Sequence, residues 1–400
     1  MSTIFEKPII DTDTHVTEPP DLWTSRMPKK FGQFVPHVKV HPKHGIEYWY
    51  LGDKAVFSAW GSANYGYPGG SLSIPPTRNQ SHPGAWDANE RLKYMDETGV
   101  WAQVLYPNLG AVVMGLYKNI EEEVKLGMIR AYNDFMIDFA SAAPERFVPM
   151  AVLPLWDVDA SVKELERAAK IGHKGVLLSG APHEHGWPYL SDRSWDPLWS
   201  AIRATNLPIS FHVGGGDFAD DFFSAGRYKT DGLEANYIRS STLAFLLVGG
   251  QLADLLMSGV PQRFPELRFA VVESGIGHLN YCLESLDYHF NVAELWKKRP
   301  EFKEKPSETF KKQIFVNYWF ERLDQFHIDK IGEDNIMFET DFPHTTCLGG
   351  REAVAKALTN GLELQPDRVQ DKILFANAAK LYNVDLPKKA FELNRNFAVA

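Results

Sequence analysis

The chain has little cysteine. Its two, Cys282 and Cys347, are far apart and fit no zinc-ribbon or redox spacing. A disulfide framework is excluded, and reduced thiols in a cytoplasmic protein are expected. Basic blocks are also missing: 42 Lys and Arg stand against 51 Asp and Glu, for a formal net charge of -9. That balance argues against a nucleic-acid surface. No basic stretch followed by an apolar core opens the chain, so no signal peptide is read. No apolar run approaches the ~20 residues that span a bilayer. The longest, Leu243–Val248, stops at Gly249-Gly250, and no membrane partner is expected. Internal repeats and low-complexity segments are absent too. What remains is a chain with 44% hydrophobic residues, ample for a large core.

Short β-rich runs alternate with amphipathic segments. The predicted strands are Ile9–His15, Val100–Tyr106, Phe147–Leu153, Gly175–Leu178, Pro208–Val213, Arg268–Glu273, Gln313–Asn317 and Asn335–Asp341. Several are continuous apolar runs, as in strands buried on both faces of a parallel sheet. Helices are predicted between and after them, among them Glu121–Ala143, Ala160–Ile171 before Gly172, Asp196–Thr205, Tyr237–Ser258, Gly277–Trp296 and Pro366–Tyr382. This order predicts an α/β fold, a (β/α)8 TIM barrel in a single domain over residues 1–400. An open doubly wound sheet would put a Gly-rich phosphate turn after the first strand, and Thr14–Pro20 is no such turn. Two long βα-loop insertions interrupt the minimal barrel. Residues 24–85, rich in Gly, Pro, Tyr and Trp, follow strand one, and residues 214–236 follow strand five. Both lie on the catalytic face of a barrel, where a long loop serves as lid or pocket wall.

The strand ends carry the chemistry. Residues two apart on a strand share a face, so Asp11, Asp13 and His15 are expected to point together. Strand five ends at His212, strand six at Glu273, and strand eight at Asp341 with His344 just beyond. In a parallel barrel these ends meet at one mouth. Each residue alone has a structural reading: a core histidine, a helix cap, a surface ion pair. Together they form the imidazole and carboxylate set of a catalytic divalent metal. His173, before strand four, is read as structural. His183 and His185 could reach the mouth, His289 is read as packing, and His37, His41 and His44 as a solvated loop.

The stretches IDTDTHVTEP, RAYNDF, GHKGVLL, FHVGGG, SGVPQRFPELRFAVVESGIG, ETDFPH and ILFANAAKLYN span residues 9 to 383. In them the chain resembles the amidohydrolase-related family of metal-dependent TIM-barrel enzymes. That family includes aminocarboxymuconate semialdehyde decarboxylase and the resorcylate decarboxylases. The resemblance implies that Asp13, His15, His212 and Asp341 are metal ligands, Asp13 being a variant of the usual His or Glu. Where the decarboxylases carry a proton-transferring histidine on strand six, this chain has Glu273, as in a longer subgroup with Glu-x-Gly-x-Gly-Trp. His278 takes the Trp position.

The leading expectation is a metal-dependent hydrolase, in which metal-activated water attacks an acyl group (amide, ester or thioester) or a C–C substrate. Asp341 would ligate the metal and move the proton, with Glu273 or His344 binding a second ion or orienting ligands. Zinc is the favoured ion, with iron or manganese as alternatives and one or two ions per site. The competing readings are non-oxidative decarboxylation of an aromatic or unsaturated carboxylic acid, dinuclear iron or manganese oxygenation, and a non-catalytic scaffold subunit. A small-molecule substrate is expected, in a homo-oligomer such as a dimer or in a hetero-oligomer with a related subunit. Aromatic side chains of residues 49–67, with Phe218, Tyr318 and Trp319, are expected to line an apolar pocket.

Overall fold

The computed structural model describes residues 4–70, 72–108, 120–213 and 232–394. Its strands are β1 (Ile9–Val16), β2 (His37–Val40), β3 (Glu47–Leu51), β4 (Lys54–Ser58), β5 (Val100–Pro107), β6 (Phe147–Val152), β7 (Gly175–Leu178), β8 (Ile209–His212), β9 (Phe269–Val272), β10 (Ile314–Tyr318) and β11 (Ile336–Phe338). Eight of them close a barrel in the order β1-β11-β10-β9-β8-β7-β6-β5, with every pairing parallel. All residues of β1, β5, β6, β7, β8, β9 and β11 are buried. That is why these segments read as unbroken apolar runs: the interior covers one face and helices the other. This is the (β/α)8 barrel expected from the sequence.

Local chemistry sets the helix ends. Asp87 accepts hydrogen bonds from Asn89 N and Glu90 N to start the helix Ala88–Thr98, and Gly99 ends it with a left-handed φ of 78°. Asp157 caps Val158–Ile171 in the same way. The helix Gly232–Met257 runs straight through Gly249-Gly250, as the predicted helix Tyr237–Ser258 does. Gly249 is where this helix meets His278, since a Cβ there would lie 3.0 Å from its ring. With its extension to Arg263 it is long and apolar enough to cross a bilayer by length and composition, yet 56% of its apolar window is buried inside the protein. Such burial is what the core helix of a globular fold shows.

The insertion at 24–85 is more than a loop. Strands β2, β3 and β4 form an antiparallel sheet. Trp49 packs edge-on against Trp23, their centroids 5.0 Å apart, and Trp23 donates to Met128 O in the helix Glu122–Ala140. Trp60 donates to Glu47 at 2.5 Å. Trp49 and Trp60 therefore anchor this sheet. Tyr318 and Trp319 are likewise fully buried, and the Tyr318 hydroxyl donates to Ala357 O in the helix Arg351–Leu358. Phe218 and most of the second insertion lie outside the described residues.

Candidate metal centre

The ends of β1, β8, β9 and β11 bring six side chains together. Asp13 and His15 sit near the end of β1, and His212 is the last residue of β8. Glu273 follows β9, and Asp341 and His344 lie beyond β11. The strand-eight end stays paired to β1: Asp341 N donates to Asp13 O at 2.9 Å and His15 N to Phe342 O at 2.7 Å.

His15 and His212 turn Nδ1 to backbone carbonyls, Pro107 O at 2.9 Å and Val213 O at 2.7 Å. Donating there places the proton on Nδ1 and the lone pair on Nε2 in each neutral ring. The two Nε2 atoms are 3.2 Å apart. Asp13 Oδ1 lies 3.5 Å from His15 Nε2 and 3.4 Å from His212 Nε2. Glu273 Oε2 is 3.4 Å from His212 Nε2, and Asp341 Oδ1 is 3.5 Å from His15 Nε2. His344 Nδ1 lies 2.7 Å from Asp341 Oδ1, while its Nε2 is 2.6 Å from Asn108 Oδ1. In two overlapping groups, Asp13–His15–His212–Glu273 and His15–Glu273–Asp341–His344, the donor atoms lie within 4.8 Å of one another.

The fit to a cation rests on unmet demand. Both oxygens of Asp13 are buried without a hydrogen-bond partner, a costly state for a carboxylate. Two lone pairs facing each other at Nε2 have the same need. A divalent ion satisfies both, and this donor set is of the kind that binds one.

Burial raises the pKa of Asp13, partly offset by His212. Burial also lifts Glu273 well above the carboxylate range, reinforced by Asp341 and Asp13. His15 is pushed well down by burial and by His344 and His212. For His212 burial pulls down, but Asp13 outweighs it and the net shift is upward.

Two site residues have strained backbones. Glu273 and Asp341 hold φ of 55° and 61°, a region that costs a non-glycine residue ~1–3 kcal/mol and persists only where the surroundings enforce it. For Glu273 the enforcer is Glu339, fully buried just past β11, whose Oε2 accepts Glu273 N at 3.2 Å and Asn317 Nδ2 at 2.6 Å. Sequence reasoning missed Glu339, although Glu339-Thr-Asp341 repeats the two-residue spacing of Asp13-Thr-His15. The turn after Glu273 is held by Glu321, which accepts Ile276 N at 2.5 Å and Gly277 N at 3.3 Å. Gly275, at φ 66°, leaves room for that carboxylate.

One placement differs from expectation. Asp11 does not share a face with Asp13 and His15. Asp11 pairs with Gln103 and Thr14 with Leu105, three steps on β1 against two on β5. This β-bulge changes the side-chain parity. His15 pairs with Tyr106, whose hydroxyl meets Ser210 on β8 across the interior. Asp11 instead faces Gln103 and, through it, Arg91 in the outer helix Ala88–Thr98.

The other histidines lie apart. His173, just before β7, sits with its ring nitrogens 3.3 Å from Pro149 O and 3.1 Å from Asn133 O, at the far end of the barrel. His183 stacks on Tyr189 and His185 packs near Trp187. His289 is exposed on the helix Leu279–Ala293. His37 is on β2, with His41 and His44 beside the small sheet. None of these joins the two donor groups among the described residues. Cys347 is half-buried, and desolvation, reinforced by Asp341, pushes its thiol well up, the opposite of nucleophile activation.

A parallel eight-stranded barrel with buried imidazoles and carboxylates at its strand ends defines a metal-dependent (β/α)8 enzyme. The sequence model of the amidohydrolase family matches residues 10–384, so the chain belongs to that family and is an enzyme of the amidohydrolase superfamily with a divalent-metal site. A γ-resorcylate decarboxylase of Rhizobium radiobacter is 26% identical over 321 residues, 74% of this chain and 86% of the relative. An amidohydrolase structure from Mycobacterium avium subsp. paratuberculosis superposes with a TM-score of 0.74 at 21% identity, covering 94% of this chain and 99% of that one. A dihydroxybenzoic acid decarboxylase from Polaromonas, solved with manganese and 2-nitroresorcinol, gives 0.61 at 20% identity, covering 98% of this chain and all of the other. At these identities the structural likeness shows the fold.

Proposed function

We propose that this enzyme is a metal-dependent, non-oxidative decarboxylase of an aromatic or unsaturated carboxylic acid. The observation that carries the reading is the place of Glu273: a buried acid whose Oε2 lies 3.4 Å from His212 Nε2 within the donor cluster, in a chain related to γ-resorcylate decarboxylases. Asp13, His15, His212 and Asp341 would hold the ion. A bound divalent cation would fix the substrate carboxylate and lower the cost of charge developing next to it. Glu273 Oε2 delivers a proton to the carbon bearing the carboxylate. The bond from that carbon to the carboxyl group then breaks, its electron pair restores the unsaturated system, and carbon dioxide leaves. Solvent returns the proton to Glu273, so no oxidant or reductant enters. Asn108 and Asp341 hold His344 between them and fix its ring.

Residues 24–85 act as one wall of the mouth. Tyr65 N donates to Pro343 O at 3.2 Å, and Asn64 donates to Thr345 at 2.6 Å, tying the insertion to the loop that carries Asp341 and His344. Manganese is the ion named with the Polaromonas relative, and a carboxylate-rich set suits it. Zinc, favoured from the sequence, is the alternative that metal analysis separates.

Hydrolysis, the leading expectation from sequence, now takes second place. What favours it is the pair of overlapping donor groups. With His15 Nδ1 already committed, its Nε2 serves one ion, so two ions would divide the six residues between them. Glu273, committed to the ions, would then have no proton to give, and the ions would supply the Lewis acidity that activates water for attack on an acyl group.

The test is incubation of the metal-loaded enzyme with dihydroxybenzoates and related phenolic acids. Carbon dioxide release with one ion per chain supports the proposal. Two ions per chain, with ester or thioester cleavage and no carbon dioxide, overturns it.

A further inference from the structure

Behind the site, on the helical side of β1, lies a second constellation outside the two donor groups. Asp11 is fully buried. Its Oδ1 accepts Thr340 N at 2.8 Å, and its Oδ2 accepts Thr340 Oγ1 at 2.6 Å and Gln103 Nε2 at 3.3 Å. Asp13 N lies 3.4 Å from the same Oδ1. Gln103 Oε1 accepts Arg91 Nη1 at 3.2 Å, and Arg91, itself fully buried, also donates to the His15 and Gly84 carbonyls. The guanidinium lies 4.6 Å from the Phe342 ring centre, and Tyr94 stacks on the same ring with centroids 3.9 Å apart. Each arm thus ends on or next to a ligand: Asp13 directly, Asp341 through Thr340 and Phe342, His15 through its carbonyl.

We infer that Asp11, with Thr340 and Arg91, is the positioning unit of the metal centre. It fixes the left-handed turn at Asp341 and the spacing of Asp341 from Asp13 and His15. A carboxylate is suited to this place because it accepts from four donors at once, which a neutral side chain of its size does not. The strain at Asp341 needs an external restraint, and the paired bonds from Thr340 supply it one residue upstream. The inference rests on the metal-site part of the proposed function and is independent of the substrate.

The experiment measures manganese affinity by competition with a fluorescent chelator, and the melting temperature of the chelated protein. It compares wild type with Asp11→Asn, Thr340→Val and Asp11→Ala. Asn keeps two of the contacts and Val removes only the hydroxyl bond, so these two report even where Ala fails to fold. Loss of a group that orients metal ligands weakens binding about 10–100-fold. The expected result is such a loss in Thr340→Val, with Asp11→Asn intermediate between wild type and Asp11→Ala. The chelated Val and Asn variants should melt close to wild type. Affinity within about twofold of wild type in both would overturn the assignment, as would a wild-type chain that binds neither manganese nor zinc. An enzyme that binds the ion normally yet releases no carbon dioxide sinks the decarboxylase reading and leaves the positioning unit standing.

Discussion

The stability of this protein should depend on its metal, and one substitution should abolish that dependence. Asp13 is buried with both oxygens unpartnered, and each such atom costs about 1–3 kcal/mol. The ion is the missing partner. At a concentration about 1,000 times Kd it stabilises the fold by about 4 kcal/mol. For 400 residues, at about 2.1 cal/mol/K per residue, the entropy of unfolding is about 0.8 kcal/mol/K. The shift in Tm is then about 5 °C by the same relation. Asp13→Asn keeps the shape and removes the charge whose burial is unfavourable, as the raised pKa of Asp13 attests. The metal-free variant should therefore melt at or above the metal-free wild type, while the gain on adding manganese vanishes. The assay is differential scanning fluorimetry with and without chelator. Two results refute the reasoning: a wild-type shift below about 1 °C at saturating ion, or a metal-free Asp13→Asn that melts several degrees low. The latter would mean that Asp13 has a protein partner after all, the scale being about 1 kcal/mol for each degree or so.

Other outcomes follow from neighbouring groups. Glu339→Ala frees the amide of Glu273 and should cut kcat about 10–100-fold. Glu339→Gln, whose oxygen still accepts from Glu273 N and Asn317, should retain most activity; equal loss in both would show that the charge matters and not the bonds. Gly275→Ala puts a Cβ into the Glu321 carboxylate at φ 66° and should lower activity more than stability, read by kcat against Tm. Burial lowers the pKa of His173 from 6.5 to about 4. In this case the unfolded chain takes up the proton first, so stability is whole above about pH 6.5 and is lost as pH falls toward about 4, by about 3 kcal/mol. Urea unfolding of His173→Gln should show a smaller loss across that window; parallel profiles would show that His173 does not titrate there.

The barrel was legible because parallel strands covered on both sides leave an unmistakable trace. Runs such as Phe269–Val272 are apolar throughout, and some are followed by a helix with an Asp cap and a Gly stop, as at Val158–Ile171 and Gln325–Ile331. The site was legible at the same level, since parallel strands that end in Asp, His and Glu must deliver them to one mouth. The small sheet was not read, because β2 to β4 mix Lys, Glu and Tyr with few clean alternations. One cue was available in Gly52-Asp53, a two-residue link between β3 and β4 with Gly52 at φ 60°. The sequence showed aromatics only as pocket lining, whereas Trp and Tyr have polar ends that need partners, and Trp60 and Tyr318 found theirs in Glu47 and Ala357. Large aromatics in an insertion are as suited to fixing that insertion as to greeting a ligand.

The bulge in β1 is the deepest of these gaps and the most informative. Strict alternation places Asp11 beside Asp13, which would crowd a further carboxylate into a mouth that already holds Asp13, Glu273, Glu339 and Asp341. Each added buried charge raises the pKa of the rest, so a site built that way would sooner take up protons than a cation. The extra residue between the Asp11–Gln103 and Thr14–Leu105 pairs turns Asp11 outward, where Thr340, Gln103 and Arg91 meet it. A bulge is a relation between two strands, and nothing local in IDTDTHV marks it. One shift of register thereby separates two acids that look equivalent in the sequence: Asp13 is left without partners and is free for a metal, while Asp11 is fully bonded and holds the frame.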